Sequence, residues 1–71
     1  MDKQELNQKI VLCADRAYCF QKQEIDAKLQ KLKNDGIEAT VGDFLLIFKD
    51  THHLSIKTFV SEMIKEGAIQ N

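Results

Sequence analysis

Apolar residues in the first half of the chain recur at spacings of three and four, which is typical of an amphipathic α-helix. One register comprises Leu6, Ile10, Cys13, Ala17 and Phe20. A second register lies about 100° further round the same helix and comprises Val11, Tyr18, Ile25 and Leu32. Gly36 supplies a C-terminal stop. The pattern predicts helix over residues of about 2–34, either as one long helix or as two helices that meet at a bend near residues 20–23.

The second register is more apolar surface than a short chain can cover by itself. A helix over this stretch would extend roughly 48 Å, and only about half of the 71 residues remain to pack on it. We therefore expect an interface with a partner protein, most simply a second copy, along that register. Its anchors would be Val11, Tyr18, Ile25 and Leu32. A bent helix in a compact monomer is the alternative.

The segment after Gly36 fits two structures. Thr40 with Asp43 three residues later resembles an N-cap followed by an acidic first turn, which predicts a helix from Val41 to about Asp50. Apolar residues on both sides of Gly42-Asp43 predict instead a β-hairpin over 37–48. We favour an all-α fold for the single domain 1–71, with an α+β fold carrying that hairpin as the alternative.

A third helix is predicted from Ser55, as its N-cap, to Gly67, as its stop. The helical positions between them are apolar at Ile56, Phe59, Val60, Met63 and Ile64. The residues His52-His53-Leu54 would form the turn before it. The C-terminal part of the chain is thus predicted to contain two helices in a helix-turn-helix-like arrangement.

These two helices, followed by Lys65-Glu66-Gly67-Ala68-Ile69, are similar to the last two helices of a small helix-turn-helix protein and the entry into a wing. The resemblance covers about 30 residues and implies a DNA-binding transcriptional regulator. The N-terminal turns of the second helix would then face the major groove. The residues that the resemblance places there are Lys57, Thr58 and Ser61.

The charge balance does not favour nucleic acid as the partner. Ten Lys and Arg residues against 11 Asp and Glu residues give a net charge of −1, whereas nucleic-acid binders gain affinity from a basic surplus. The longest apolar run, residues 44–48, is far shorter than the roughly 18 residues of a membrane span. The first residues resemble no secretory signal, so we expect a cytoplasmic protein that does not contact a membrane.

The residues able to carry chemistry form no recognisable site. Cys13 and Cys19 are six residues apart and His52 and His53 are adjacent, which is not the ligand spacing of a zinc site. The segment from Asp50 resembles an EF-hand loop in outline, but His52 and Leu54 stand where calcium needs oxygen ligands. No strained elbow or oxyanion loop accompanies the Ser, Cys and His residues. We expect no enzyme activity, metal or cofactor.

The sequence therefore favours a small, non-enzymatic regulatory or inhibitory protein. It would act by protein–protein binding and occlude the surface of a partner. A nucleic-acid-binding protein is one class of partner that this interpretation includes. Small modulators from phages and mobile elements act in this way. A helix-turn-helix regulator that reads DNA is the alternative function.

Overall fold

The first helix, α1 (Lys3–Asn34), begins where Asp2 provides its cap. The Asp2 side chain accepts a hydrogen bond from the backbone N–H of Glu5 at 2.7 Å, which satisfies one of the free donors at the start of a helix. The structure, a computed structural model, describes residues 1–69. Within them α1 runs for 32 residues without interruption. Of the two arrangements that the sequence allowed for residues 2–34, the structure has the single long helix.

The second helix, α2 (Val41–Lys65), begins at a capping box. Thr40 Oγ1 accepts from the backbone N–H of Asp43 at 3.1 Å, and the Asp43 carboxylate accepts from the backbone N–H of Thr40 at 2.9 Å. The Thr40 hydroxyl also donates to this carboxylate at 3.0 Å. The bonds that the carboxylate accepts from the Thr40 backbone and hydroxyl hold the pKa of Asp43 below its usual value. The predicted cap is confirmed, and the two reciprocal bonds favour helix at the residues where the β-hairpin was the alternative.

The alternative of a β-hairpin at 37–48 and the prediction of a separate helix starting at Ser55 are both wrong. Residues 1–69 contain no strand, and α2 continues through the expected turn at residues 52–54. No Gly or Pro lies between Gly42 and Gly67 to stop the helix. Ser55 is buried in mid-helix, where its hydroxyl donates to the carbonyl of His52 at 2.8 Å instead of capping. The all-α fold class is confirmed, with two helices in place of three.

The two helices form an antiparallel hairpin that measures 51 × 17 × 15 Å. Gln21 Nε2 donates to Thr51 Oγ1 at 3.5 Å near the middle, and Lys9 Nζ donates to the carbonyl of Glu66 at 2.6 Å near the open end. Apart from Met63, the buried side chains of the seam between the helices are small or polar. The buried members of the seam are Cys13, Ala17, Gln21, Thr51, Ser55 and Met63.

Candidate interaction face

The seam fixes which residues lie on each side of the hairpin. In an α-helix the next residue is about 100° further round. Because the helices run in opposite directions, the residue that follows a seam residue lies on the same side of the hairpin in both helices. Tyr18 follows Ala17 in α1, and Ile56 follows Ser55 in α2. Both side chains therefore lie on one side, and both are exposed.

This side is mainly apolar, although by the same rule it also carries Lys22, which follows the seam residue Gln21. In α2 this side carries a row of residues from Val41 to Val60, each three or four positions after the one before it. In α1 it carries Tyr18 and, two turns earlier, Val11. Leu45 is 66% exposed, Tyr18 65% and Phe48 57%. We call this surface the apolar face, and its members are Val11, Tyr18, Val41, Leu45, Phe48, His52, Ile56 and Val60.

His52 is the one polar member of the apolar face, and it lies within the row and not at its edge. Its ring stacks on Phe48, with the ring centroids 5.9 Å apart and the planes inclined by 7°. The pair places two aromatic rings next to each other in the middle of α2. Aromatic side chains next to aliphatic ones are typical of protein-binding sites.

The opposite side of the hairpin is mixed, since it carries the exposed Leu12, Leu46 and Leu54 as well as ion pairs at the open end. Arg16 NH1 donates to Glu62 Oε2 and to Glu66 Oε1, each at 2.9 Å. The hydrogen bonds to Glu66 and Glu62 raise the pKa of Arg16. Lys65 Nζ also lies 3.6 Å from Glu62 Oε1. The two Arg16 ion pairs join α1 to the C-terminal end of α2 at the open end, on the side away from Tyr18.

The structure divides the four residues that the sequence predicted as a partner interface. Val11 is 60% exposed, and Tyr18 is also exposed. Ile25 and Leu32 are half-buried, and Leu32 lines a cleft against Leu46 and Ile47 of α2. The predicted residues recur every seven positions, whereas the buried positions of α1 recur every four, from Cys13 to Ala17 to Gln21. The predicted register therefore crosses the seam. Only the first half of the register is therefore available to a partner.

The sequence prediction missed the contribution of α2 to this face. Leu45 and Ile56 were assigned to two different helices, so their common row was divided at the expected turn. The signal was nevertheless present, because the heptad-like spacing from Val41 to Val60 continues through residues 50–55. The absence of Gly and Pro from that stretch is what indicates one helix.

The residues that the helix-turn-helix resemblance placed on DNA lie in the middle of α2 and not in its first turns. Lys57 and Ser61 are exposed. Thr58 is half-buried, and its hydroxyl donates to the carbonyl of Leu54 at 3.0 Å. The turn between two helices, on which the resemblance depends, does not occur in residues 41–65.

The two cysteines have different environments. Cys13 is fully buried in the seam and Cys19 is exposed. Burial raises the pKa of the Cys13 thiol, and the nearby Glu66 carboxylate raises it further. A thiol held in its neutral form in this way packs as a small apolar side chain and is a poor nucleophile.

Comparison of the chain with protein-family models, with curated proteins and with solved structures finds no match. Among the described residues, neither helix combines the length and apolar character that crossing a bilayer requires. The apolar face is therefore the feature of this chain on which a function can be argued.

Proposed function

We propose that this chain is a small regulatory protein that acts by binding protein through its apolar face. The observation that carries the proposal is the distribution of large apolar side chains. Leu45, Phe48 and Ile56 are each at least half exposed, while the seam is closed by Cys13 and Ala17. Exposed apolar surface of this continuity is typical of protein interaction sites.

The shape and charge of the surface support a protein partner. The face is elongated and carries no Asp, Glu, Lys or Arg among its eight members, so a partner desolvates no charged side chain of the row itself. A partner helix laid along the hairpin would contact both helices at once. Tyr18 and Phe48 are the anchors that we expect to contribute most of the binding free energy, as aromatic side chains do in protein interfaces.

Regulation would then follow from occlusion. A rigid hairpin that covers part of a partner surface blocks whatever else binds there, and this requires no catalytic residue. The face has no Lys or Arg among its members, so a protein surface fits it better than the phosphates of a nucleic acid.

The proposal is tested by photo-crosslinking in cells at two adjacent positions. The photoreactive amino acid p-benzoylphenylalanine replaces Ile56 on the apolar face in one variant. It replaces Lys57, one residue and about 100° further round, in the matched control. Both side chains are exposed, so the two variants differ in the surface from which the photoreactive group can reach a partner.

We expect protein adducts at position 56 and few or none at position 57, with the adducts lost when Phe48→Glu is added to the Ile56 variant. Equal adducts at both positions, or none at either, would contradict protein binding by this face. The mass of each adduct separates self-association from binding to a different protein.

A further inference from the structure

We infer that the apolar face is covered by a second copy of this chain, so that two hairpins pack face to face as a two-fold symmetric four-helix bundle. This inference rests on the proposed function, since it names the protein that occupies the same face. It replaces the interface expected along α1 with one in which α2 provides most of the contacts.

The surface area of the chain is the first argument. One hairpin exposes 5566 Å², whereas a globular monomer of its mass exposes roughly 4,500 Å². A globular dimer of twice that mass exposes roughly 7,500 Å². Bringing two hairpins to that value removes about 3,600 Å² in total, which lies within the range of about 2,000–5,000 Å² for obligate homodimers.

The second argument is that the hairpin has one layer of helices, whereas a stable domain needs two. The apolar side chains buried within the described residues are Cys13, Ala17 and Met63, and each of the first two contributes little area. A second hairpin would supply the missing layer and would bury Leu45, Phe48 and Ile56. The core of the protein would then lie between the copies, not within one of them.

The third argument is that the face suits its own copy. A two-fold axis brings the same surface of both chains together, so a charged row would meet its own charge. The apolar face has no Asp, Glu, Lys or Arg among its members, and each chain carries a net charge of only −1. In antiparallel rows centred on one another, Val41 and Leu45 of one copy would lie opposite Val60 and Ile56 of the other, so apolar side chains would meet apolar side chains.

A consequence for function is that self-association and binding of a different protein compete for one surface. A partner that binds this face has to displace the second copy. Its apparent affinity would therefore fall as the concentration of the chain rises.

The inference is tested by sedimentation equilibrium of the purified chain and two variants. We expect the wild type to have twice the chain mass of 8.2 kDa. Phe48→Glu should shift the mass to that of the monomer, because each copy would bury a charge in the interface. The matched control is Leu46→Glu, which changes a side chain of similar exposure on the other side of α2 and should remain dimeric.

Photo-crosslinking of the purified chain keeps the test decisive if Phe48→Glu unfolds. With p-benzoylphenylalanine at position 56, irradiation should give an adduct of twice the chain mass, and at position 57 it should not. A helical, monomeric wild type without that adduct would overturn the inference. If the position-56 variant then still gives heavier, face-specific adducts in cells, the proposed function stands while the second copy is excluded. If it gives none in cells either, both fail.

Discussion

At the scale of single residues, the seam depends on a buried polar pair and not only on apolar contact. Thr51 is fully buried, and its hydroxyl donates to the carbonyl of Ile47 at 2.8 Å. The same oxygen accepts from Gln21 Nε2 at 3.5 Å. Gln21 is 9% exposed, so its amide finds little water when this partner is removed.

We predict that Thr51→Val destabilises the fold by about 1 kcal/mol, because the Gln21 amide loses its acceptor while remaining buried. The double variant Thr51→Val with Gln21→Met should recover most of that loss, since both polar partners are then replaced by apolar groups of similar shape. Urea unfolding followed by circular dichroism measures both values.

Thr58→Val is the matched control, because it makes the same chemical change where the hydroxyl bonds only to its own helix. It should change stability less than Thr51→Val. A double variant that is less stable than Thr51→Val alone would show that the two seam residues are not coupled through this hydrogen bond.

At the scale of elements, the connection between α1 and α2 depends on one glycine conformation. Gly36 has a φ of 73°, in the left-handed region that other residues avoid. Beside it, the backbone N–H of Ile37 donates to the carbonyl of Leu32 at 2.9 Å, and that of Gly36 donates to the carbonyl of Lys33 at 3.1 Å. This pair of bonds is the Schellman ending of a helix, so the stop predicted at Gly36 is confirmed.

We predict opposite effects for the same substitution at two glycines. Gly36→Ala should destabilise the hairpin by about 1 kcal/mol, because a Cβ is strained at this φ even though it would meet no atom within 4 Å. Gly42→Ala should stabilise it by about 0.5–1 kcal/mol, because Gly42 lies within α2 and alanine favours helix. Its Cβ would lie at an ordinary 3.6 Å from Thr40 Oγ1.

Thermal unfolding of the two variants, side by side, measures the difference. Two changes of the same sign would mean that the conformation of Gly36 does not limit the turn.

At the scale of the whole molecule, the two ends of the hairpin are held by different interactions. The closed end has the chain connection, whereas the open end depends on contacts between side chains from residues far apart in sequence. Arg16 bonds to both Glu62 and Glu66 there, and Lys9 bonds to the carbonyl of Glu66. The Arg16 side chain is 45% exposed, so we expect its ion pairs to affect local order more than global stability.

We predict that Arg16→Gln speeds amide hydrogen exchange in the last two turns of α2 several-fold, while exchange near Thr51 changes little. The control Lys57→Gln removes an exposed charge of α2 that lies away from the seam and should leave exchange unchanged. The effect of Arg16→Gln should shrink in high salt, because salt screens the wild-type ion pairs. Uniform faster exchange along α2 would contradict a local role for Arg16.

The sequence alone favoured the helical class, predicted helix over residues of about 2–34 as either one helix or two, and located three of the helix ends. These features depend on neighbouring residues: the spacing of apolar positions, the Thr40–Asp43 capping box, and glycines at 36 and 67 where φ is positive. Local chemistry of this kind can be recognised without knowing what packs against it. The break expected before Ser55 was wrong because a serine that can cap a helix can also bond back to a carbonyl within one.

The tertiary structure alone decided which apolar residues face inward. Periodicity places Val11, Tyr18, Ile25 and Leu32 in one register, but the seam follows residues four apart and so turns steadily away from that register. Which register packs depends on how closely two helices approach, and the small side chains of Cys13, Ala17 and Ser55 allow that approach. Larger side chains such as Phe48 are left outside, so the surface that we propose as the interaction site could be identified only once both helices were in place.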